Sequence, residues 1–370
     1  MTDFTLERVV IPAHLDDPDA TDSIGADSVE ADFIATVEVR NAAEADAYGT
    51  DEFSVTAAEL LPLWLDQEYE PKQLFAARLN GRIVARAIFE TRPGAEGNTA
   101  WLDVQVHPQF RRRGIGTALA DHLEALASED QRPNLVVYTM SKAAEGERLR
   151  SPTGFGSVPA GNTEVRFLLG RGFLLEQVQR ASRLAVPVRA DVLDGLVERS
   201  QQKAGADYHL HQWSGRTPDH WLEDMALLFT RMSTDAPNAG LDEPEDVWTR
   251  LRLIEYEERA EAGPKTSVVS VVEHLPTGHL AGLTELEVPA ELDRPVSQND
   301  TIVLKEHRGH RLGMLLKAAN IRHLQSTFPG HPSIVTLNAE ENRHMLDVNE
   351  AVGFLAVGHT GAWKKIRRAS

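Results

Sequence analysis

The chain has 370 residues, of which 42% are hydrophobic and 25% are charged, a composition typical of soluble globular proteins. This length favours two domains of about 150–200 residues each over a single core. Cysteine is absent, which excludes disulfides, cysteine-ligated zinc and a cysteine nucleophile. The formal net charge of −18 argues against nucleic acid as the main partner, because binding it requires a basic surface.

Membrane and metal partners are not expected either. No apolar run approaches the roughly 18 residues that a membrane span needs. The first ten residues lack a basic stretch followed by an apolar one, so no signal peptide is predicted and a cytoplasmic location is expected. The histidines lack the spacing with carboxylates that a metal site requires, so no metal is predicted. The sequence does not define the oligomeric state.

The first half predicts two helices, a hairpin, a third strand, an amphipathic helix and two further strands. The hairpin turns at Asn80-Gly81, a strong signal for a two-residue turn. Apolar residues at helical spacing indicate the amphipathic helix after the third strand. The elements are expected at residues 29–46, 55–68, 74–79, 83–90, 99–107, from 115 through 126, at 135–140 and at 173–186.

The second half repeats this order after a polar linker helix, with Pro near its start and Gly at its end. The first helix of this half is expected to begin at Thr217-Pro218, a cap followed by proline. The elements are expected at residues 217–233, 244–262, 266–274, 279–288, 300–304, from 312 through 319, at 333–339, 341–352 and 354–365. The predicted division is 1–187 for the first domain, 188–205 for the linker helix and 206–370 for the second domain.

Two pairs of matched segments indicate an internal repeat. Arg111 and Arg308 each open a loop between a strand and a helix and lie 197 residues apart. Gly172-Phe173 and Gly353-Phe354 lie 181 residues apart. The difference between these two spacings is explained if the first copy has a longer loop before its Gly-Phe pair. The segment 151–163, rich in Gly, Pro and Ser, fits that role.

The segment Arg111–Gly116, RRRGIG, lies directly between a strand and an amphipathic helix. A helix N-terminus exposes unpaired backbone N–H groups and carries about half a positive charge, so it binds phosphate. Gly114 and Gly116 allow close approach of the backbone to a pyrophosphate. The arginines add positive charge, and Thr117 offers a hydroxyl donor. This placement predicts a phosphate-binding loop.

These motifs resemble the GNAT superfamily of N-acetyltransferases, and the repeat resembles tandem GNAT proteins of the mycothiol synthase type. Arg111, Gly114 and Gly116 match the family's loop pattern, whereas Arg311 replaces the central glycine in the second copy. The resemblance implies an α/β (α+β) class with two GNAT folds, each a mixed, mostly antiparallel sheet flanked by helices. It implies acetyl-CoA as cosubstrate. The implied contacts are Val104, Val106, Arg111, Arg112, Arg113, Gly114, Ile115, Gly116 and Thr117 in the first copy, and Ile302, Val303, Arg308, Gly309, His310, Arg311, Leu312, Gly313, Asn338 and Asn342 in the second.

The acid and base of the reaction are less well defined. Many GNAT enzymes have a tyrosine four residues before the glycine of Gly-Phe, but here those positions are Leu168 and Asn349. Tyr138, on a predicted strand, and Asp300, at a predicted strand start, are the candidate catalytic residues. Asp103 is out of phase with the valines of its strand, which favours an orientation away from the cleft. Glu285 and Glu287 are further options.

The resemblance and the residues together predict an N-acetyltransferase that transfers acetyl to a small amine by direct attack in a ternary complex. The acceptor is expected to be cationic because the chain is acidic. Two alternatives remain open: a CoA-binding module without catalysis, and acetylation of an amino-sugar thiol precursor as in mycothiol synthase. The second copy is expected to bind the coenzyme more weakly, or to have become structural, because Arg311 replaces a glycine there and the pattern at Arg111–Gly116 is more complete.

Overall fold

A computed structural model describes residues 4–15, 28–92, 98–241 and 244–367. The chain divides into two compact units. The first comprises the residues up to Gln179, the short segment Ala239–Leu241 and the residues from Gly358 onward. The second comprises Arg180–Asn238 and Asp242–Val357.

Both units contain helices and strands. Up to residue 185 they are, in chain order, β1 (Thr5–Arg8), α1 (Val29–Tyr48), α2 (Ala57–Leu65), β2 (Lys72–Leu79), β3 (Arg82–Thr91), β4 (Thr99–Val106), α3 (Ile115–Glu129), β5 (Asn134–Ser141), β6 (Arg148–Arg150), β7 (Ser157–Pro159), α4 (Thr163–Gly170) and β8 (Leu174–Ala185). The remainder are α5 (Ala190–Ala204), β9 (Tyr208–Ser214), α6 (Leu222–Asp235), α7 (Arg250–Glu261), β10 (Lys265–His274), β11 (His279–Pro289), β12 (Val296–Val303), α8 (Leu312–Thr327), β13 (Ser333–Ala339), α9 (Arg343–Val352) and β14 (Leu355–Ile366).

The sheet of the first unit has the strand order β1-β2-β3-β4-β5-β14-β8. The pairs β1–β2, β2–β3, β3–β4 and β5–β14 are antiparallel, and β4–β5 is parallel. Helices α3 and α4 pack on one face, where Leu119, Leu123 and Leu168 join the strand residues in one apolar core. Helices α1 and α2 pack on the other face through Phe33 and Trp64.

Local sequence signals explain several of these elements. The turn between β2 and β3 has Asn80 at φ 51° and Gly81 at φ 80°, the left-handed pair that a two-residue hairpin turn requires. Helix α2 begins with a capping box, in which Thr56 accepts the Glu59 N–H and the Glu59 carboxylate accepts the Thr56 N–H. The predicted hairpin is therefore confirmed.

The sheet of the second unit has the order β8-β13-β12-β11-β10-β9. The pairs β9–β10, β10–β11 and β11–β12 are antiparallel, and β12–β13 is parallel. Helix α8 is buried over most of its length. It shares a core with Leu193, Leu196 and Val197 of α5 on one side and with strand residues on the other. Helices α6 and α7 pack on the opposite face.

The predicted fold class is confirmed, because both units are α/β with mostly antiparallel sheets flanked by helices. The division by contacts differs from the predicted one in two places. Helix α5, expected as a linker, lies within the second unit. Residues His359–Ile366 of β14, expected in the second domain, pair antiparallel with Ser141–Asn134 of β5 in the first unit.

Two predicted element starts need correction, and one helix is additional. Strand β12 begins at Val296, so Asp300 lies inside the strand and not at its start. Helix α6 begins at Leu222, five residues after Thr217, because a 3₁₀ turn over Asp219–Trp221 precedes it. Helix α4, in the approach to Gly172-Phe173, is not among the elements that the sequence predicts.

Candidate active site

A cleft of about 870 Å³ opens in the first unit where β4 and β5 separate. The two parallel strands pair only at Thr99–Trp101 with Asn134–Val136 among the described residues. Beyond that point the cleft is lined by Leu102–Val106 of β4 and Val137–Met140 of β5. Residues of α3 and α4 complete one side and residues of α1 the other. The cleft is therefore bounded by helices from both faces of the sheet.

The RRRGIG segment forms the loop between β4 and α3 at this cleft. Gly114 has φ 83° and precedes the first residue of α3, and no side chain among the described residues caps the helix. The first backbone N–H groups of a helix have no partner within it, so an uncapped start suits an anion. Gly116 would tolerate a Cβ, whose nearest neighbour is a methyl group of Val106 at 3.5 Å. Packing within the chain therefore does not require a glycine at 116.

The three arginines of the loop have different roles. Arg111 folds back, donating from Nε to the Val106 carbonyl at 3.1 Å and from Nη1 to Asp46 at 2.7 Å. The guanidinium of Arg113 lies over the Phe110 ring at 5.2 Å. Arg112 lines the cleft. Arg111 lines the cleft too, but its guanidinium is held by Val106 and Asp46 and so fixes the loop.

Asp46, at the end of α1, anchors the loop and is not predicted from the sequence. It also accepts a hydrogen bond from Lys142 at 3.1 Å. Burial opposes ionisation, but the hydrogen bonds from Arg111 and Lys142 outweigh it and hold the pKa of Asp46 below its usual range. The carboxylate therefore stays charged near neutral pH and keeps both cations in place.

A buried group of charged and polar side chains lies between α1 and the sheet. Burial raises the pKa of Glu44 to about 7, opposed by Arg40. Burial also raises the pKa of Asp103, opposed by Arg86 and Arg40 and by a hydrogen bond from the Val104 backbone N–H. Arg86 is 3% exposed, and its Nε and Nη1 have no hydrogen-bond partner among the described residues.

Asp103 lies on the α1 face and so points away from Val104 and Val106, which pack toward α3. The expectation that it also faces away from the cleft is wrong, because the cleft extends to the α1 face and Asp103 lines it. Tyr138 lines the cleft as well, from β5. A carboxyl and a phenol from the two separating strands therefore border the same space.

The second unit repeats the loop anchor. Arg308 donates from Nε to the Val303 carbonyl at 3.1 Å and from Nη2 to Asp235 at 3.1 Å. Asp235 ends α6 as Asp46 nearly ends α1. Both loops have two left-handed residues, but the glycine has changed place: Arg112 and Gly114 have φ 65° and 83° in the first unit, whereas Gly309 and Arg311 have φ 88° and 57° in the second. Leu312 and Gly313 then begin α8.

Other residues of the second unit that are predicted to contact the coenzyme interact with residues of the chain itself. Asn342 caps α9 by accepting the Met345 N–H at 3.3 Å. Asn338 accepts a hydrogen bond from Asn349 at 2.7 Å. Ile302 is buried in the core under α6, and His310 packs against the Tyr208 ring at 5.1 Å. Their contacts with a coenzyme stay a prediction.

Asp300 lies beside two other acids on the face covered by α6 and α7. Burial raises the pKa of Glu285 to about 8, and Glu287 and Asp300 add to the effect. Burial raises the pKa of Asp300 to about 6, to which Glu287 contributes. Glu285 accepts a hydrogen bond from Ser267 at 2.7 Å, and Glu287 pairs with Lys265 at 3.2 Å. Asp300 is remote in sequence from the first unit's cleft and belongs to the second unit.

Among the described residues no group of three or more His, Asp or Glu side chains is placed to hold a metal ion. Within the same residues, no helix has the length and apolar character needed to cross a membrane.

The chain is similar to proteins of known family. Residues 38–142 match the acetyltransferase (GNAT) family. Over its whole length the chain is similar to a tandem GNAT protein from the clavulanic acid biosynthesis pathway, solved without acetyl-CoA, with 22% identity, a TM-score of 0.68 and full coverage of both chains. A GCN5-related N-acetyltransferase from Sphaerobacter thermophilus has 14% identity and a TM-score of 0.60 over 99% of this chain and 96% of its own.

A third structure is the GCN5-related glucosamine N-acetyltransferase region of a fungal multi-domain β-N-acetylglucosaminidase, with 14% identity and a TM-score of 0.57. The similarity covers 98% of this chain and 38% of the chain of the fungal protein. No curated protein matches the chain. The family match covers α3, its loop and both separating strands, and the whole-chain similarity confirms the tandem fold. Residues 38–142 are therefore similar to the acetyltransferase (GNAT) family, within a chain that has the fold of a tandem GNAT protein.

Proposed function

We propose that this chain is an acetyl-CoA-dependent N-acetyltransferase, whose first unit holds acetyl-CoA in the cleft between β4 and β5 and transfers acetyl to a small amine. One observation carries the proposal: the uncapped N-terminus of α3 opens onto a cleft, and the residues of α3, β4 and β5 that line this cleft lie within the family match. An unpartnered helix start and a bordering Arg112 fit a diphosphate. The loop keeps this form because Asp46 anchors Arg111.

Acetyl-CoA supplies the acyl thioester. The backbone of β4 beyond Trp101 is free of pairing with β5 among the described residues, so N–H groups on that edge can polarise a carbonyl and hold the oxyanion. Asp103 directly precedes Val104 on this strand, and both residues line the cleft. Asp103 therefore lies beside the backbone proposed to hold the reacting carbonyl.

Asp103 is the proposed general base and Tyr138 the proposed acid. An ammonium acceptor must lose a proton before it attacks, and a base acts best with a pKa near the working pH. Burial raises the pKa of Asp103, which moves it in the right direction. Tyr138 lines the cleft from β5, and we assign to it the protonation of the leaving thiolate, the role that a tyrosine at the position of Leu168 would otherwise have.

A substitution in the loop tests acetyl-CoA binding directly. Gly114→Asp adds a negative charge at the proposed diphosphate position, and we expect acetyl-CoA affinity to fall at least tenfold, about 1.4 kcal/mol, in isothermal titration calorimetry. Gly114→Asn is the matched control, because asparagine has nearly the same size and the same φ problem at +83° but no charge. Equal affinities for the two variants and the wild type would contradict the proposal.

A CoA-binding module without catalysis is the second candidate. It is favoured by Leu168 and Asn349, which stand where many enzymes of the family have a tyrosine. The two candidates differ in turnover. Release of CoA from acetyl-CoA in the presence of a panel of amines supports the enzyme, and tight acetyl-CoA binding with no amine-dependent release supports the module.

The acceptor is proposed to be a small cationic amine, because the chain carries a net charge of −18 and acidic surfaces speed encounter with cations. We expect polyamines or aminoglycosides to be acetylated faster than neutral or anionic amines. The advantage should shrink with added salt, since exposed charges are screened over about 10 Å at 0.1 M. A neutral or anionic best acceptor, with rates independent of salt, would contradict this assignment.

A further inference from the structure

Lys317 of α8 is buried in the core of the second unit, at 1% exposure. Its amine donates a hydrogen bond of 2.6 Å to Asn349 of α9 and lies 5.6 Å from the centre of the Phe354 ring. Asn349 in turn donates to Asn338 of β13 at 2.7 Å. A lysine, two asparagines and an aromatic ring thus form one connected group between α8, α9 and the end of β13.

The internal repeat identifies the residues of the first unit that correspond to this group. The loop anchors fix one spacing, since Arg111 and Arg308, and their acceptors Val106 and Val303, are each 197 residues apart. At that spacing Lys317 corresponds to Ala120. The Gly-Phe pair fixes a second spacing, of 181 residues. At this second spacing Asn349 corresponds to Leu168, and Phe354 corresponds to Phe173.

All three counterparts, Ala120, Leu168 and Phe173, line the cleft of the first unit. The long side chain of Lys317 therefore stands where the first unit has a methyl group at the cleft wall. Its amine reaches Asn349 of α9, which is the counterpart of Leu168, the cleft residue of α4. The space that is open in the first unit is spanned in the second by a hydrogen-bonded side chain.

We propose that Lys317 closes the acyl-CoA cleft of the second unit, so that the chain holds one functional acyl-CoA site and one that is latent. This inference rests on the proposed function, since it takes the first unit's cleft as the acyl-CoA site. It is independent of Arg311, which lies in the phosphate loop and not in the cleft.

The surrounding packing keeps the cleft closed. Helix α8 cannot move away from the sheet without losing the core that it shares with Leu193, Leu196 and Val197 of α5. Asn349 is itself 1% exposed, so rotating the lysine out would leave its amide oxygen without a partner, which is costly in a buried site. Closing the cleft is thus a property of the folded second unit and not of a mobile side chain.

Calorimetric stoichiometry tests the proposal with the full-length chain and acetyl-CoA or CoA as the probe. We expect one site per chain in the wild type, the same site weakened at least tenfold in Gly114→Asp, and a second, weaker site in Lys317→Ala, which should persist in the double variant Gly114→Asp/Lys317→Ala. Lys317→Met is the matched control, because it keeps the length of the side chain and should keep the cleft closed. Lys203→Ala, at an exposed lysine of α5, should behave as the wild type.

Two sites in the wild type, or no second site in a folded Lys317→Ala chain, would overturn the inference. If Lys317→Ala does not fold, hydrogen exchange on the Gly114→Asp chain replaces it: protection of α8 by CoA would overturn the proposal, and unchanged exchange there supports it. A wild-type chain that binds no CoA at all contradicts the proposed function instead, and the two failures are therefore distinguishable.

Discussion

Asp103 and Glu44 share their buried surroundings with Arg86, and their ionisation decides at which pH the first unit has a base. Burial raises the pKa of both carboxyls, that of Glu44 to about 7. We therefore expect the acetylation rate to rise with pH, as Asp103 and the amine lose their protons. Burial lowers the pKa of Arg86 to about 10, so its guanidinium stays charged near neutral pH.

Asp103→Asn removes the proposed base with little change in shape. We expect kcat to fall at least about 100-fold, with the acetyl-CoA dissociation constant unchanged, measured by CoA release and by calorimetry. The rise of the rate with pH should also be lost or shifted. A variant at the exposed Asp130, Asp130→Asn, serves as control. A kcat within threefold of the wild type would show that another group accepts the proton.

The burial of Lys317 predicts how the stability of the protein depends on pH. Burial lowers the pKa of its amine from 10.5 to about 7. Between those values the unfolded chain binds more protons than the folded one, so the free energy of unfolding should rise with pH by up to about 1.4 kcal/mol per unit. Lys317→Met should remove that slope. The free energy of unfolding is measured by urea denaturation at pH 7, 8 and 9. The same dependence on pH in the wild type and in the variant would contradict this prediction.

Local sequence patterns predict some parts of the candidate site and not others. The Gly-rich segment, the amphipathic helix α3 and the Asn80-Gly81 hairpin could be predicted because their signals lie within a few residues of one another. The side chains that complete the site could not, because Asp46, Glu44 and Arg86 come from α1 and β3. Only strand pairing and helix packing bring those elements next to β4, and a single sequence carries no record of that pairing.

The two helix-terminal aspartates, Asp46 and Asp235, show the same limit within the repeat. Each binds the first arginine of its loop, but they stand 65 and 73 residues before it, so a comparison at fixed spacing misses the pair. The exchange of glycine between the two left-handed positions explains why the second loop departs from the family pattern at Arg311. It retains a glycine, at 309, where the first copy has Arg112.

At the scale of the whole molecule, the linear order of the chain does not coincide with its compact units. The repeat predicts that each half closes its own sheet, since FLLEQVQRASRLAV and FLAVGHTGAWKK follow equivalent Gly-Phe positions. Instead β8 contributes residues up to Gln179 to the first unit and residues from Arg180 to the second, and β14 continues from Val357 into the first unit. Local β-propensity identifies both strands but does not determine which neighbour each strand pairs with.

This arrangement makes the first unit dependent on the C-terminal strand. Trp363 of β14 is fully buried in the core that also contains Leu119, Leu123 and Phe173. Trp363→Ala should cost about 3–5 kcal/mol, the range for removing a large aromatic side chain from a core. The loss should fall on the first unit, with faster hydrogen exchange in β5 and weaker acetyl-CoA binding, while exchange in α8 stays unchanged. Ile366→Ala, on the same strand at 66% exposure, is the control and should leave both quantities as they are. Faster exchange in α8 with β5 unaffected would show that this strand supports the second unit, as the linear order of the sequence suggests.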